Sequence, residues 1–159
     1  MILRRAQAQD IPGLHKLLLQ VCMVHHQGRP DLFRAGGTKY TDEQLASLIA
    51  NDARPIFVAA EEDARPGDIL GYAFCVHQDH EGDTALTDIR TLYIDDLCVD
   101  QSARGQHVGS RLYDHVLSYA RSKGCYNVTL NVWTCNESAI RFYEHLGLKP
   151  QKIGMETIL

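Results

Sequence analysis

An α/β three-layer domain is the fold class this sequence predicts, and three observations carry it. Short apolar runs alternate along the chain with stripes of apolar residues spaced three and four apart, so strands and helices interleave. At 159 residues and 45% apolar content, the chain can bury one sizeable core and is too short for two, which makes residues 1–159 a single domain. A strand-like run ending at Val99 also leads through a polar, glycine-bearing loop straight into a helix.

The elements follow in order. Residues 2–6 read as a first strand, and Ile11, Leu14, Leu17, Leu18 and Val21 form a helical stripe after it. Residues 25–40 are polar and contain Gly28, Pro30, Gly36 and Gly37, the composition of a loop or a broken helix. Thr41 followed by Gln44 is a capping box, so a second helix starts there and carries Leu45, Leu48 and Ile49. Residues 55–60 and 69–77 read as strands joined by the turn-rich EDARPGD. A loop over residues 79–84 precedes the strand that ends at Val99. Val108, Leu112, Tyr113, Val116, Leu117 and Ala120 mark the inner face of a third helix that stops near Gly124. Residues 127–132 form another strand. Asn136 then caps a short helix whose inner face carries Ala139, Phe142, Tyr143 and Leu146, with Gly147 at its C′ position. Residues 148–158 are expected to make the last strand pairing.

The loop after Val99 is the chemically informative segment. The first turn of a helix presents N–H groups with no intrahelical partner and a partial positive charge, so a loop lean in side chains lets a phosphate reach them. Gly105 and Gly109 supply that leanness, Arg104 places a planar charged fork at the mouth, and Arg111 further on adds to the positive field. The expected ligand is a pyrophosphate. Neither GxxxxGK[ST] nor a GxGxxG after the first strand is present, which excludes the two commonest phosphate loops.

The run Arg104-Gly105-Gln106-His107-Val108-Gly109 resembles the R/Q-x-x-G-x-G/A loop of the GCN5-related N-acetyltransferases, and Asn136, Ala139, Phe142, Tyr143 and Gly147 resemble that family's N-x-x-A-x-x-F-Y-x-x-x-G pattern. His107 departs from the motif, standing at its first Gly. A residue of helical φ/ψ with its side chain turned outward would still offer its amide, at somewhat lower cofactor affinity. The resemblance implies a GNAT-type domain with a central, mixed, mostly antiparallel sheet of six to seven strands flanked by about four helices. It implies acetyl-CoA as co-substrate. Its pyrophosphate would lie on Arg104, Gly105, Gln106, His107, Val108, Gly109 and Ser110. Its pantetheine arm would lie along Leu97, Cys98 and Val99 and near Asn131, Asn136 and Tyr143.

The implied reaction is direct acetyl transfer to a primary amine of a small molecule or peptide. A lysine-like amine with a pKa of about 10.4 costs on the order of 4.6 kcal/mol to neutralise at pH 7, and an α-amine about 1 kcal/mol, so a proton acceptor helps. Asp95 and Asp96 interrupt an otherwise apolar strand, and alternate strand residues face opposite sides. Asp95 occupies the family's first acidic position and is a candidate base or a substrate anchor; Asp96 takes the role if a bulge shifts the register. Tyr143 is the candidate general acid for the leaving thiolate. Two alternatives stand beside this reading: a non-catalytic acyl-CoA-binding regulatory domain, and an acetyltransferase acting on protein N-termini.

Composition narrows the remaining classes. The charge of −4 comes from mixed residues without a basic stripe, which argues against nucleic acid. No run approaches a membrane span, and Arg4, Arg5 and Asp10 interrupt any signal-peptide pattern. Cys22, Cys75, Cys98, Cys125 and Cys135 form no CxxC pair and leave an odd thiol, which points to reduced cysteines and a cytoplasmic setting. His25, His26 and Cys22 do not make a metal set, because adjacent histidines at a helix end diverge. His25, His26, Arg29 and Asp31 instead lie where the resemblance implies an acceptor cleft, and a polar helix-end loop is the plainer reading. Cys98 is read as a buried strand residue and not as a nucleophile. Family members are often dimers, so a homodimer is left open.

Overall fold

The computed structural model describes residues 1–159. A five-stranded sheet runs in sequence order through β1 (Ile2–Arg5), β2 (Ile56–Ala60), β3 (Gly71–Asp79), β4 (Arg90–Val99) and β5 (Asn127–Leu130). The pairs β1–β2, β2–β3 and β3–β4 are antiparallel, and β4–β5 is parallel. The helices are α1 (Ile11–Gly28), α2 (Asp42–Ile49), α3 (Val108–Ser122) and α4 (Glu137–His145). The parallel pair demands a crossover, and α3 supplies it.

The strand-face alternation of β2 sorts the core into two layers. Ile56, Val58 and Ala60 join Leu14, Leu17, Leu18 and Leu45 under α1 and α2. Phe57 and Ala59 join Leu112, Val116 and Ala120 under α3. Buried Asp10 ties β1 to the start of α1: it receives Arg4 Nη1 and Nη2 at 2.7 and 2.9 Å and the Gln7 amide at 2.8 Å. The capping box at Thr41 forms, with the Gln44 amide donating to Thr41 Oγ1 and the Thr41 amide donating to Gln44 Oε1. Asn136 caps α4 by accepting the Ala139 amide, and Gly147 ends it at φ 88°.

Two expectations are corrected. The sheet has five strands, not six to seven, because residues 148–158 form no strand. Pro150 lacks the N–H that a ladder needs, Gly154 weakens any extended run, and Ile153, Met155 and Ile158 all lie exposed. What holds this segment is polar: Arg29 donates to both carboxylate oxygens of Glu156 at 2.8 Å. The second correction is conformational. His107 adopts φ 60°, ψ 15°, left-handed instead of right-handed helical geometry. That explains why a glycine suits the position, since a Cβ is crowded there.

Candidate active site

The site begins where β4 loses a neighbour. Its pairing with β5 runs from Thr91–Asn127 to Ile94–Leu130 and then stops, while its pairing with β3 continues to Val99. From Asp95 onward, one edge of a central strand is therefore free, and the backbone of Leu97, Cys98 and Val99 lies in that gap. An extended ligand carrying amides can add to such an edge as a strand would.

A bulge sits at the same place. Phe74 pairs with Asp96 and Cys75 pairs with Ile94, so Asp95 is an extra residue with no partner on β3. The bulge inverts the alternation. Leu92 and Ile94 face α3, whereas Cys98 faces α1 and α2, with Leu97 and Val99 now turned to the α3 side. Asp95 and Asp96 consequently both serve the α1–α2 side. The Asp95 carboxylate receives Lys39 Nζ at 2.9 Å and the Tyr40 hydroxyl at 3.4 Å. The Asp96 carboxylate receives the Tyr72 hydroxyl at 2.9 Å. Burial pushes the Asp96 carboxyl up to about 6, against the opposing pull of the Lys39 charge and the Tyr72 hydrogen bond.

Lys39 and Tyr72 escaped the sequence reading. Lys39 lies in the polar stretch before α2, where no motif marks it. Tyr72 reads as a core residue of β3, and its diagonal approach to Asp96 exists only because of the bulge. One sequence signal was present: Tyr72 carries a hydroxyl into an otherwise apolar strand, and a buried phenol needs a partner.

The loop between β4 and α3 is fixed at its start and open at its end. Asp100 accepts from the Ser102 amide and hydroxyl and pairs with Lys16 of α1; the Lys16 hydrogen bond holds its carboxyl down to about 2. None of the backbone N–H groups of Arg104, Gly105, Gln106, His107, Val108, Gly109 and Ser110 donates to a protein acceptor. Gly105 at φ 79° and His107 at φ 60° turn the chain around this row of donors. Arg104 is exposed and makes no ion pair. The Arg111 guanidinium turns elsewhere and donates to the Met1 carbonyl at 3.2 Å.

Helix α4 closes the site from the β5 side. A Cβ at Gly109 would stand 3.1 Å from Phe142 Cζ and 3.4 Å from Val99 Cγ2, so this glycine lets α4 dock on the first turn of α3. Neighbouring Tyr143 is partly buried, and desolvation together with the nearby Asp96 charge raises its phenol well above the usual range. Asn136 spends its carbonyl oxygen on the α4 cap, accepting also from Ser138 Oγ at 3.0 Å. The Asn131 amide donates to the Tyr93 hydroxyl at 3.2 Å. Cys98 is buried, and its thiol is pushed up to about 12 by burial.

At the end of α1, His25 meets Phe33 at 4.9 Å between ring centroids, and Phe33 meets Trp133 edge-on at 5.3 Å. His26 Nδ1 lies 2.7 Å from the Phe33 carbonyl, while Arg29 binds Asp31 as well as Glu156. His26, Arg29 and Asp31 are thus engaged in holding the loop after α1. Burial lowers the His25 imidazole pKa, and the Lys39 charge adds to that effect.

A split sheet, a bulged strand bearing two acids and an open row of helix-terminal donors make an α/β domain with a place for an extended, anion-bearing ligand. The acetyltransferase (GNAT) family model matches residues 22–148, and the chain belongs to that family. N-alpha-acetyltransferase 30 of Schizosaccharomyces pombe is 30% identical over 137 residues, covering 86% of this chain and 81% of that protein. Glucosamine 6-phosphate N-acetyltransferase of Trypanosoma brucei brucei is 40% identical over 67 residues, covering 42% of this chain and 44% of that protein. This chain spans less than half the length of the glucosamine 6-phosphate relatives it matches. Among solved structures, the tetramutant of the BH1408 protein from Bacillus halodurans superposes with a TM-score of 0.92 at 29% identity, with full coverage of both chains.

Proposed function

We propose that this chain is an acetyl-CoA-dependent N-acetyltransferase that transfers the acetyl group directly to a primary amine. The observation that carries the reading is the unbroken row of unpaired amides from Arg104 to Ser110 beside the free edge of β4. Those residues fit the coenzyme: the loop amides and Arg104 suit its pyrophosphate, and the Leu97–Val99 backbone suits an amide-bearing arm. Acetyl-CoA supplies an activated thioester carbonyl. In the gap beyond Ile94, backbone N–H groups of β4 polarise that carbonyl as the amine nitrogen attacks its carbon.

Asp96 then takes the proton lost by the nitrogen, directly or through one water. A carboxyl held near 6 is ionised at neutral pH and more basic than an ordinary aspartate, so the bulge improves it for this task. As the carbon–sulfur bond breaks, Tyr143 gives its proton to sulfur. A phenol raised by desolvation stays protonated at every working pH, and a thiolate forming in the same dry surroundings becomes a stronger base, so the transfer remains matched. Asp95, paired with Lys39, positions the loop before α2 and anchors the acceptor side. The acceptor set includes α-amines of peptides, because the Schizosaccharomyces pombe relative aligns over most of the chain.

Free-thiol release from acetyl-CoA across polyamines, amino acids, aminoglycosides and N-terminal peptides tests this reading. We expect turnover with at least one class, and Tyr143→Phe lowering kcat about 100-fold while CoA affinity stays within about twofold. CoA binding without thiol release from any acceptor would replace the proposal with the regulatory alternative.

A further inference from the structure

At the opposite end of the sheet, the beginning of β4 and the end of α3 border a cleft of about 500 Å³ that the proposed reaction does not use. The ten residues of β4 separate it from the coenzyme loop by roughly 30 Å. Arg5 of β1, Arg90 of β4 and Lys123 just beyond α3 converge on it around His77 of β3 and Tyr119 of α3. Two acids, Asp52 and Asp79, share the lining, so three cations face two carboxylates and the formal balance is +1 with a neutral imidazole.

The counter-ions are exposed to solvent, where their pairing with the cations is screened. Asp52 is 99% exposed and reaches Arg5 only at 3.4 Å. Asp79 Oδ2 accepts from Arg90 Nε and Nη2 at 3.3 and 3.2 Å, with both side chains half exposed. Lys123 has no carboxylate partner and lies 5.7 Å from the Tyr119 ring centroid. The floor, by contrast, is ordered. Arg90 Nη1 donates to the Lys123 carbonyl at 3.1 Å, and the Tyr119 hydroxyl and His77 Nε2 are 3.1 Å apart. The Arg5 guanidinium, the Lys123 ammonium without a carboxylate partner and the imidazole–phenol pair offer donors to a tetrahedral dianion, and Arg90 adds its charge.

From this convergence we infer a second ligand site, which binds a phosphate dianion, free or as the ester of a small metabolite, away from the acetyl-transfer centre. The His77 imidazole is a local reporter. Burial lowers its pKa first, then the charges of Arg90, Lys123 and Arg5, with only Asp79 opposing them. A dianion seated among those cations cancels part of their effect, so His77 becomes more basic on binding.

The test is NMR titration of the His77 ring in the full-length protein with inorganic phosphate and, separately, glucose 6-phosphate. Sodium chloride at matched ionic strength is the control. We expect saturable shifts at roughly millimolar concentration and an upward move of the His77 pKa. The ligand that saturates at lower concentration identifies the free or the esterified form. Replacing both Arg5 and Lys123 by Gln should weaken binding about tenfold, while Arg104→Gln leaves it unchanged. Chloride reproducing the shift, an unmoved His77 pKa, or equal affinity in the Arg5/Lys123 double variant would overturn the site.

Discussion

Asp96 sits under two opposed demands. Its ionised form is the proposed base, yet burial disfavours that form and carries the carboxyl up to about 6. The activity and stability consequences have different signs. Turnover needs the carboxylate, so kcat/KM rises with pH through about 6. Below about 3.8, the carboxyl is protonated in both folded and unfolded chains; as pH climbs toward 6, the unfolded chain ionises first, and the group's contribution to stability is lost. Asp96→Asn should therefore lower kcat/KM by about 100-fold or more, abolish the acidic limb of the pH–rate profile, and melt no lower than the parent above pH 7. The Asn oxygen can still accept from Tyr72, so packing survives. A pH–rate profile unmoved in the variant would transfer the base role to Asp95 or to water. Neither this role nor the bulge behind it can be read from a single strand: Asp95 and Asp96 stand out as acids in an apolar run, but which one faces the cleft depends on how β3 pairs with β4.

At the scale of elements, the legible parts were those whose determinants are local. Thr41 with Gln44, Asn136 with Ala139, and Gly147 each specify a helix end within a few residues, and each forms as the sequence predicts. The closing strand was illegible because strand pairing is decided by a distant partner, and the exposed Ile153, Met155 and Ile158 find none. The proposed coenzyme loop falls between these cases. Its glycines and arginine are visible in sequence, but the left-handed turn at His107 is a property of the closed loop. That turn makes an experiment with opposite signs at one position. His107→Gly should remove Cβ strain, raise stability by up to about 1 kcal/mol and tighten acetyl-CoA binding. His107→Val, β-branched at positive φ, should cost about 1–2 kcal/mol and weaken binding. Thermal melting and coenzyme titration read both, and a less stable Gly variant would mean that the imidazole's own contacts outweigh the strain.

For the whole molecule, the sheet is a wall between two apolar layers, and the question is whether they unfold together. Residues on opposite faces of the same strands contribute to each layer, so loss of one exposes the other side of a shared backbone, and cooperativity follows from the architecture. Two thiols report the layers separately. Cys98 lies in the α1–α2 layer and Cys75 in the α3 layer; they are 6% and 1% exposed, and burial pushes both thiols up to about 12. At pH 8, such a group is thiolate in only about one part in 10,000, and no reagent reaches it through the packed layers. Cys135 is exposed, and Cys22 and Cys125 are partly so. Pulsed alkylation through a urea transition should label Cys135 at once, Cys22 and Cys125 more slowly, and Cys75 and Cys98 only on unfolding, with coincident midpoints. Separate midpoints would show that the two layers come apart as independent units despite their shared strands.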